Sequence, residues 1–222
     1  RADERGFELQ ELTARSERAS LWGSVRSTGY GARAPLAAEL QIRQLRVDDS
    51  LIERLPPQLE SLRGVWFKFL PAGEVDLRAK VAFDGQQWRP EVRIDLVDMA
   101  FTYHKFPYRL ERTTGALTLE GRKLGLNLSG FAGEQPVKLE GEIFDPGPDF
   151  TGRVEIRGKD LVCDHKLLGA LPDKTREVVS SLHPQGTFDC YVLLRRGVET
   201  GGELHKFAAV HINSGSIVYD KF

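Results

Sequence analysis

The side chains with the chemistry for catalysis or metal binding are five histidines, two cysteines and a pair of recurring aspartates. Their spacing points away from both activities. His104, His165, His183, His205 and His211 stand at no repeated interval. His205 and His211 fall on one face of an alternating stretch but bring no Cys or carboxylate in ligand spacing, so they read as exposed strand residues. Asp76 and Asp189 do recur, each three residues after a glycine, in Pro71-Ala72-Gly73-Glu74-Val75-Asp76 and Pro184-Gln185-Gly186-Thr187-Phe188-Asp189. A carboxylate beside a turn accepts from backbone N–H groups, and that role is expected here rather than a general base. There is no phosphate-cradling glycine loop, no His-Glu-x-x-His and no Gly-x-Ser-x-Gly. Cys163 and Cys190 admit two readings: a pair of buried thiols acting as small hydrophobes, or a disulfide joining the two ends of a helical segment. We therefore expect no catalytic, cofactor-binding or metal residues, and no enzyme.

The elements that carry these residues repeat. Asp48-Asp49-Ser50-Leu51-Ile52-Glu53-Arg54-Leu55-Pro56 is answered by Asp164-His165-Lys166-Leu167-Leu168-Gly169-Ala170-Leu171-Pro172, 116 residues on. The Pro-x-Gly-x-x-Asp turns are 113 apart, and Tyr103-His104-Lys105-Phe106 is matched by Tyr219-Asp220-Lys221-Phe222 at 116. Residues 1–25 match 119–143, as the end of a preceding copy, and the clearest internal pair is 40–106 with 154–222. Three independent landmarks at one period define a repeat.

Asp48 and Asp164 supply helix-capping oxygens. Leu51, Leu55, Leu59, Leu62, Trp66 and Phe69 follow at helical intervals on one face. The chain is expected to bend at Leu55-Pro56, with a second helix from about Pro57. Leu167, Leu168, Leu171, Val178, Val179 and Leu182 repeat the plan. After each Pro-x-Gly turn the period becomes two. Val75, Leu77, Ala79, Val81 and Phe83 alternate with Asp76, Arg78, Lys80 and Asp84, which gives a strand with one dry face and one wet one. Asp84-Gly85 marks a hairpin. Alternation resumes at Val92/Ile94/Leu96, in Met99 to Tyr103 as a separate strand, and at Leu117/Leu119, Leu124/Leu126/Leu128, Val137/Leu139/Ile143, Val154/Ile156, Phe188 to Leu194, Val210/Ile212 and Ile217/Tyr219. The expected fold is mainly β, α+β by content. It is an elongated antiparallel meander sheet curved into a groove, with one bent amphipathic helix per repeat of about 116 residues. All 222 residues form a single elongated unit.

Lys and Arg number 31 against 32 Asp and Glu, so nothing marks a nucleic-acid partner. Trp66, Phe67, Phe69 and Trp88 then read as packing groups rather than a stacking platform. The chain begins at Arg1 and holds no apolar run near 18 residues, which fits a piece of a longer protein.

The Leu-Pro helix followed by Pro-x-Gly-x-x-Asp within long alternating strands, at Leu55-Pro56/Pro71-Ala72-Gly73 and Leu171-Pro172/Pro184-Gln185-Gly186, resembles the AsmA-like family with its TamB-type members. The resemblance covers essentially the whole chain and rests on pattern. It implies a repeating β-groove of the bridge-like lipid-transfer kind, in the periplasm, anchored to the inner membrane through a segment not present here. It also implies phospholipid transport towards the outer membrane, with phospholipid or another acyl lipid and neighbouring repeats of the same chain as partners. The physics agrees. Exposing two acyl chains of about 16 carbons to water costs on the order of 25 kcal/mol at ~0.8 kcal/mol per methylene, so a lipid crosses water only inside an apolar conduit. Val75, Leu77, Val81, Phe83, Val92, Ile94, Leu117, Leu119, Leu126 and Leu128 would line it collectively. The alternative is a structural or adhesive scaffold whose groove is filled by its own helices.

Overall fold

The computed structural model describes residues 1–16, 18–55, 60–147, 149–216 and 218. The Leu55-Pro56 bend, the helix start at Pro57, Leu59, the strand end at Ile217/Tyr219 and the shared ending at Tyr219 to Phe222 lie wholly or partly outside those residues.

Strands hold 62% of the residues and helices 15%, so the protein is mainly β. One open, curved antiparallel sheet carries all twelve strands in chain order. They are β1 (Ala2–Asp3), β2 (Gly6–Arg15), β3 (Ser20–Ser27), β4 (Leu36–Val47), β5 (Ala72–Phe83) and β6 (Trp88–Tyr103). The meander continues through β7 (Phe106–Glu120), β8 (Lys123–Ala132), β9 (Gln135–Phe144), β10 (Thr151–Val162), β11 (Gln185–Arg196) and β12 (His205–Ser216). Met99 to Tyr103 is not a separate strand but the end of the 16-residue β6, whose pairing shifts register beyond Leu96 without ending.

Among the described residues two connections carry α-helices, and a single 3₁₀ turn, Val198–Thr200, joins β11 to β12. Between β4 and β5 lie α1 (Asp49–Glu53) and α2 (Glu60–Phe69); between β10 and β11 lie α3 (His165–Ala170) and α4 (Asp173–Ser181). Asp48 caps α1 by accepting from the Ser50 N–H, and Asp164 caps α3 by accepting from the Leu167 N–H. Because β4 and β10 run the same way in the meander, both helical pairs stand at the same end of the sheet. We call this the helix end and the opposite one the hairpin end.

The core gathers at the helix end. Ile52 and Trp66 are buried with Val47, Val75, Leu96, Met99 and Leu128, and Leu45, Ile94, Leu117 and Leu139 pack around them. The α1–α2 pair therefore covers one strip of the apolar face. α3 reaches back from β10 to pack against β7, three strands away. The helical face read from the sequence is only partly buried. Trp66 is 8% exposed, but Leu62 is 47% and Phe69 42% exposed, the latter stacked on Tyr103.

Candidate functional site

Strand pairing places the apolar residues in rows that run across the sheet. The longest passes through Ala14, Leu21, Ile42, Leu77, Ile94, Leu117, Leu126, Gly141, Val154, Leu194 and Lys206, each the register partner of the next, from β2 to β12. A second row, towards the hairpin end, runs Leu12, Gly23, Leu40, Ala79, Val92, Leu119, Leu124, Ile143, Gly152 and Arg196. A third, towards the helix end, holds Leu45, Val75, Leu96, Gly115, Leu128, Leu139, Ile156 and Val192. The rows cross the junction near Pro107 unbroken, since the register shifts between β6 and β7 all lie beyond Leu96.

Bulges keep the face apolar where a strict period of two would fail. Ile42 and Leu45 are three residues apart yet share the dry face, because β4 takes one extra residue between them; Gly158 and Leu161 do the same in β10. The extra residues Gln44 and Asp160 adopt positive φ, 55° and 51°. Their N–H groups would otherwise lack a ladder partner, and the recurring aspartates accept from them: Gln44 N donates to Asp76 Oδ1 and Asp160 N to Asp189 Oδ1, each at 2.8 Å. Asp76 and Asp189 thus serve backbone N–H groups, but at a bulge in the neighbouring strand and not at their own turn. The Asp160 N–H and the Asn213 amide hold the Asp189 carboxyl below its usual range. The glycine preceding each aspartate also has a steric reason. Gly73 (φ 142°) and Gly186 (φ 114°) sit so close to the next strand that a Cβ would be driven into the carbonyl oxygens of Asp98 and Ser214.

Of the ten lining residues read from the sequence, Val75 (5% exposed) and Leu128 (6%) are buried in the cluster with Ile52 and Trp66. Leu77, Val81, Phe83, Val92, Ile94, Leu117, Leu119 and Leu126 are half-buried, and all but Val81 and Phe83 stand in the first two rows. The helices thus occupy the third row, and the first two form a strip bordered by the helical pairs on one side. Across β2 to β12 this strip spans about 48 Å, ten spacings of ~4.8 Å. An acyl chain is about 15 Å, half of a ~30 Å bilayer core.

The opposite face is wet and laced with exposed ion pairs. Lys123 meets Glu142 at 2.6 Å, Lys138 meets Glu140 at 2.7 Å, and Arg157 bridges Glu140 and Glu155. The Lys138 hydrogen bond, ahead of Arg157, holds Glu140 below its usual range. Exposed pairs of this kind contribute little to stability, so their effect is to commit this face to water. Two concavities of this face, about 630 and 700 Å³, each set cations against carboxylates: Arg153 and Arg157 beside Glu140 and Glu155 in one, Lys159 and His211 beside Asp189 in the other.

The remaining candidates do not assemble into a reactive group. Cys163 and Cys190 are free thiols. Cys163 N donates to Gly186 O while Cys190 registers with Gly158, so they sit four residue steps apart along β11, on the order of 13 Å and beyond disulfide reach. Burial raises both thiol pKa values. His205 and His211 lie on the wet face of β12, opposite Arg195 and Asp189. Among the described residues no three His, Cys, Asp or Glu side chains come together to hold a metal, and no helix is long and apolar enough to cross a membrane.

What fold and face define together is an open meander sheet with one largely apolar side, whose α-helices among the described residues stand along one margin. No protein-family model, curated protein or solved structure matches this chain.

Proposed function

We propose that the uncovered apolar strip is a trough for acyl chains, and that this protein is a non-enzymatic lipid-transfer segment. The observation that carries the reading is the register itself: one uncharged apolar row runs from Ala14 in β2 to Leu194 in β11, and a second from Leu12 in β2 to Ile143 in β9. An apolar band that long on an open sheet face is more than a monomeric soluble protein leaves uncovered without use. The helices fill the third row; Ile94 and Leu117 of the first row pack against the edge of that core, and the second row stays clear of it.

In this reading phospholipid, or another acyl lipid, lies in the trough with its polar end at the hairpin margin. The chain then works in an envelope compartment such as the periplasm, on the way from inner to outer membrane. A membrane anchor and neighbouring repeats would be supplied by parts of the protein outside these 222 residues. The competing reading is a structural or adhesive scaffold, and it draws on Ile52 and Trp66 closing the helix end.

Extraction of the purified protein followed by lipid mass spectrometry separates the two, alongside photo-crosslinkers at Leu77 and Leu126. A trough yields co-purified phospholipid and lipid adducts at both positions. Lipid-free protein with no adduct at either position rejects it in favour of the scaffold.

A further inference from the structure

Among the strand positions in register with the apolar rows, two are charged, and both lie at the same corner. Arg196 closes the second row opposite Gly152, and Lys206 closes the first opposite Leu194. Every partner before them is aliphatic, alanine or glycine. A cation on an apolar face is costly unless it is solvated or paired. Arg196 is held: its Nε donates to Gly202 O at 2.6 Å, and Nη2 to Asp149 Oδ1 at 3.2 Å, with the side chain 24% exposed. Lys206 is exposed and has no ion pair or hydrogen bond among the described residues. Beside them Gly152 and Gly141 carry no side chain, which deepens the floor where the rows arrive.

We propose that Lys206, with Arg196 beside it, seats the anionic group of an amphiphile whose hydrocarbon tail lies along the rows. This rests on the trough reading above. The chemistry selected is a phosphate or carboxylate joined to an acyl chain: the charge meets the ammonium where the apolar row stops, and the tail runs back over Leu194 and Val154. Lys206 supplies a point charge on a flexible stem, which accepts either anion; Arg196, already engaged by Asp149, shapes the corner. Of the neighbouring acids, Glu203 lies in the turn before β12 and makes no ion pair among the described residues. Asp149 is taken by Arg196, and Glu199 faces Arg195 at 3.8 Å.

The test compares binding of fluorescent phosphatidylglycerol and phosphatidylcholine, delivered from vesicles, to the wild type, Lys206→Gln, Lys206→Arg and Leu126→Asp, with inorganic phosphate as competitor. The wild type should prefer phosphatidylglycerol by about two- to five-fold at low salt, the range of an exposed ion pair, and approach parity near 1 M salt. Lys206→Gln should bind both lipids equally and Lys206→Arg should restore the preference. Leu126→Asp should weaken both lipids together, and phosphate should displace neither. Equal binding of the two lipids by wild type, or an undiminished preference in Lys206→Gln, overturns the headgroup seat and leaves the trough standing. Displacement by inorganic phosphate overturns the amphiphile in favour of a free-anion site. Failure of both lipids to bind the wild type overturns seat and trough together.

Discussion

At the residue scale, two side chains in uncommon surroundings make predictions that separate stability from function. Thr113 is 0% exposed, and its Oγ1 has no hydrogen-bond partner among the described residues. A buried hydroxyl left unpaired costs about 1–3 kcal/mol, so Thr113→Val should raise the unfolding free energy by about 1 kcal/mol once any loss of packing is counted, read as a higher urea midpoint at unchanged slope. Asp189 acts in the other direction. Its carboxylate accepts from the bulge N–H of Asp160 and from the Asn213 amide, and its pKa in the folded protein is lowered. A lowered pKa means that the contribution is present above the unfolded value, near 3.9, and lost as pH falls through the folded one. Asp189→Ala should therefore be less stable than wild type at pH 7, with the gap closing below about pH 4 in denaturant titrations. A gap unchanged between pH 7 and pH 3 would show that the carboxylate's charge plays no part. The sequence indicated that Asp76 and Asp189 serve backbone N–H groups. It did not indicate which ones, because Gln44 and Asp160 are ordinary residues whose positive φ follows from strand pairing and not from their own type.

Among the elements, strands were legible and helices only half so. Alternation such as Val75 to Phe83 reflects a physical period that survives in any half-buried strand, and in β5 Val75 is buried while Leu77, Ala79, Val81 and Phe83 are half-buried. A bulge shifts parity by one, which is why Met99 to Tyr103 read as a separate strand. The helical face failed for a different reason. Periodicity shows which residues share a face, but not how much of that face finds a partner. α2 has ten residues and packs against β6, so Trp66 is its buried anchor while Leu62 remains about half in water. Truncation should register the difference. Trp66→Ala should cost about 3–5 kcal/mol, the range for a large core aromatic, and Leu62→Ala less than about 1 kcal/mol. Equal losses in thermal or urea unfolding would mean that α2 packs over its whole apolar face. The corner cations were within reach of the sequence. Counting by twos from Val192 through Leu194 puts Arg196 on the dry face, but only the β11–β12 register brings Lys206 to the same corner.

For the whole molecule, the proposed trough would act either as one path or as a set of separate patches. Its two open rows pass through β7 at Leu117 and Leu119, midway between β2 and β12, and at that point the third row is taken up by the helix-end core. A path without side branches is interrupted wherever both of its rows are interrupted. Carboxylates at both positions would have to stay hydrated, and an acyl chain sliding past would lose contact with the floor there, at ~0.8 kcal/mol for each methylene returned to water. Two exposed methylenes already amount to about a tenfold change in rate. Leu117→Asp/Leu119→Asp should thus slow transfer of a labelled phospholipid between donor and acceptor vesicles at least about tenfold. Lipid crosslinking at Leu21 in β3 and Leu194 in β11 should persist, because both flanks keep their apolar floor. A circular-dichroism melt like that of wild type is needed alongside, to establish that the sheet still forms. Undiminished transfer by a folded double variant would mean that lipid does not travel along these rows, whatever binds to them. Loss of crosslinking at the flanks would mean that one carboxylate pair empties the whole trough, which a continuous single occupant requires and independent patches do not.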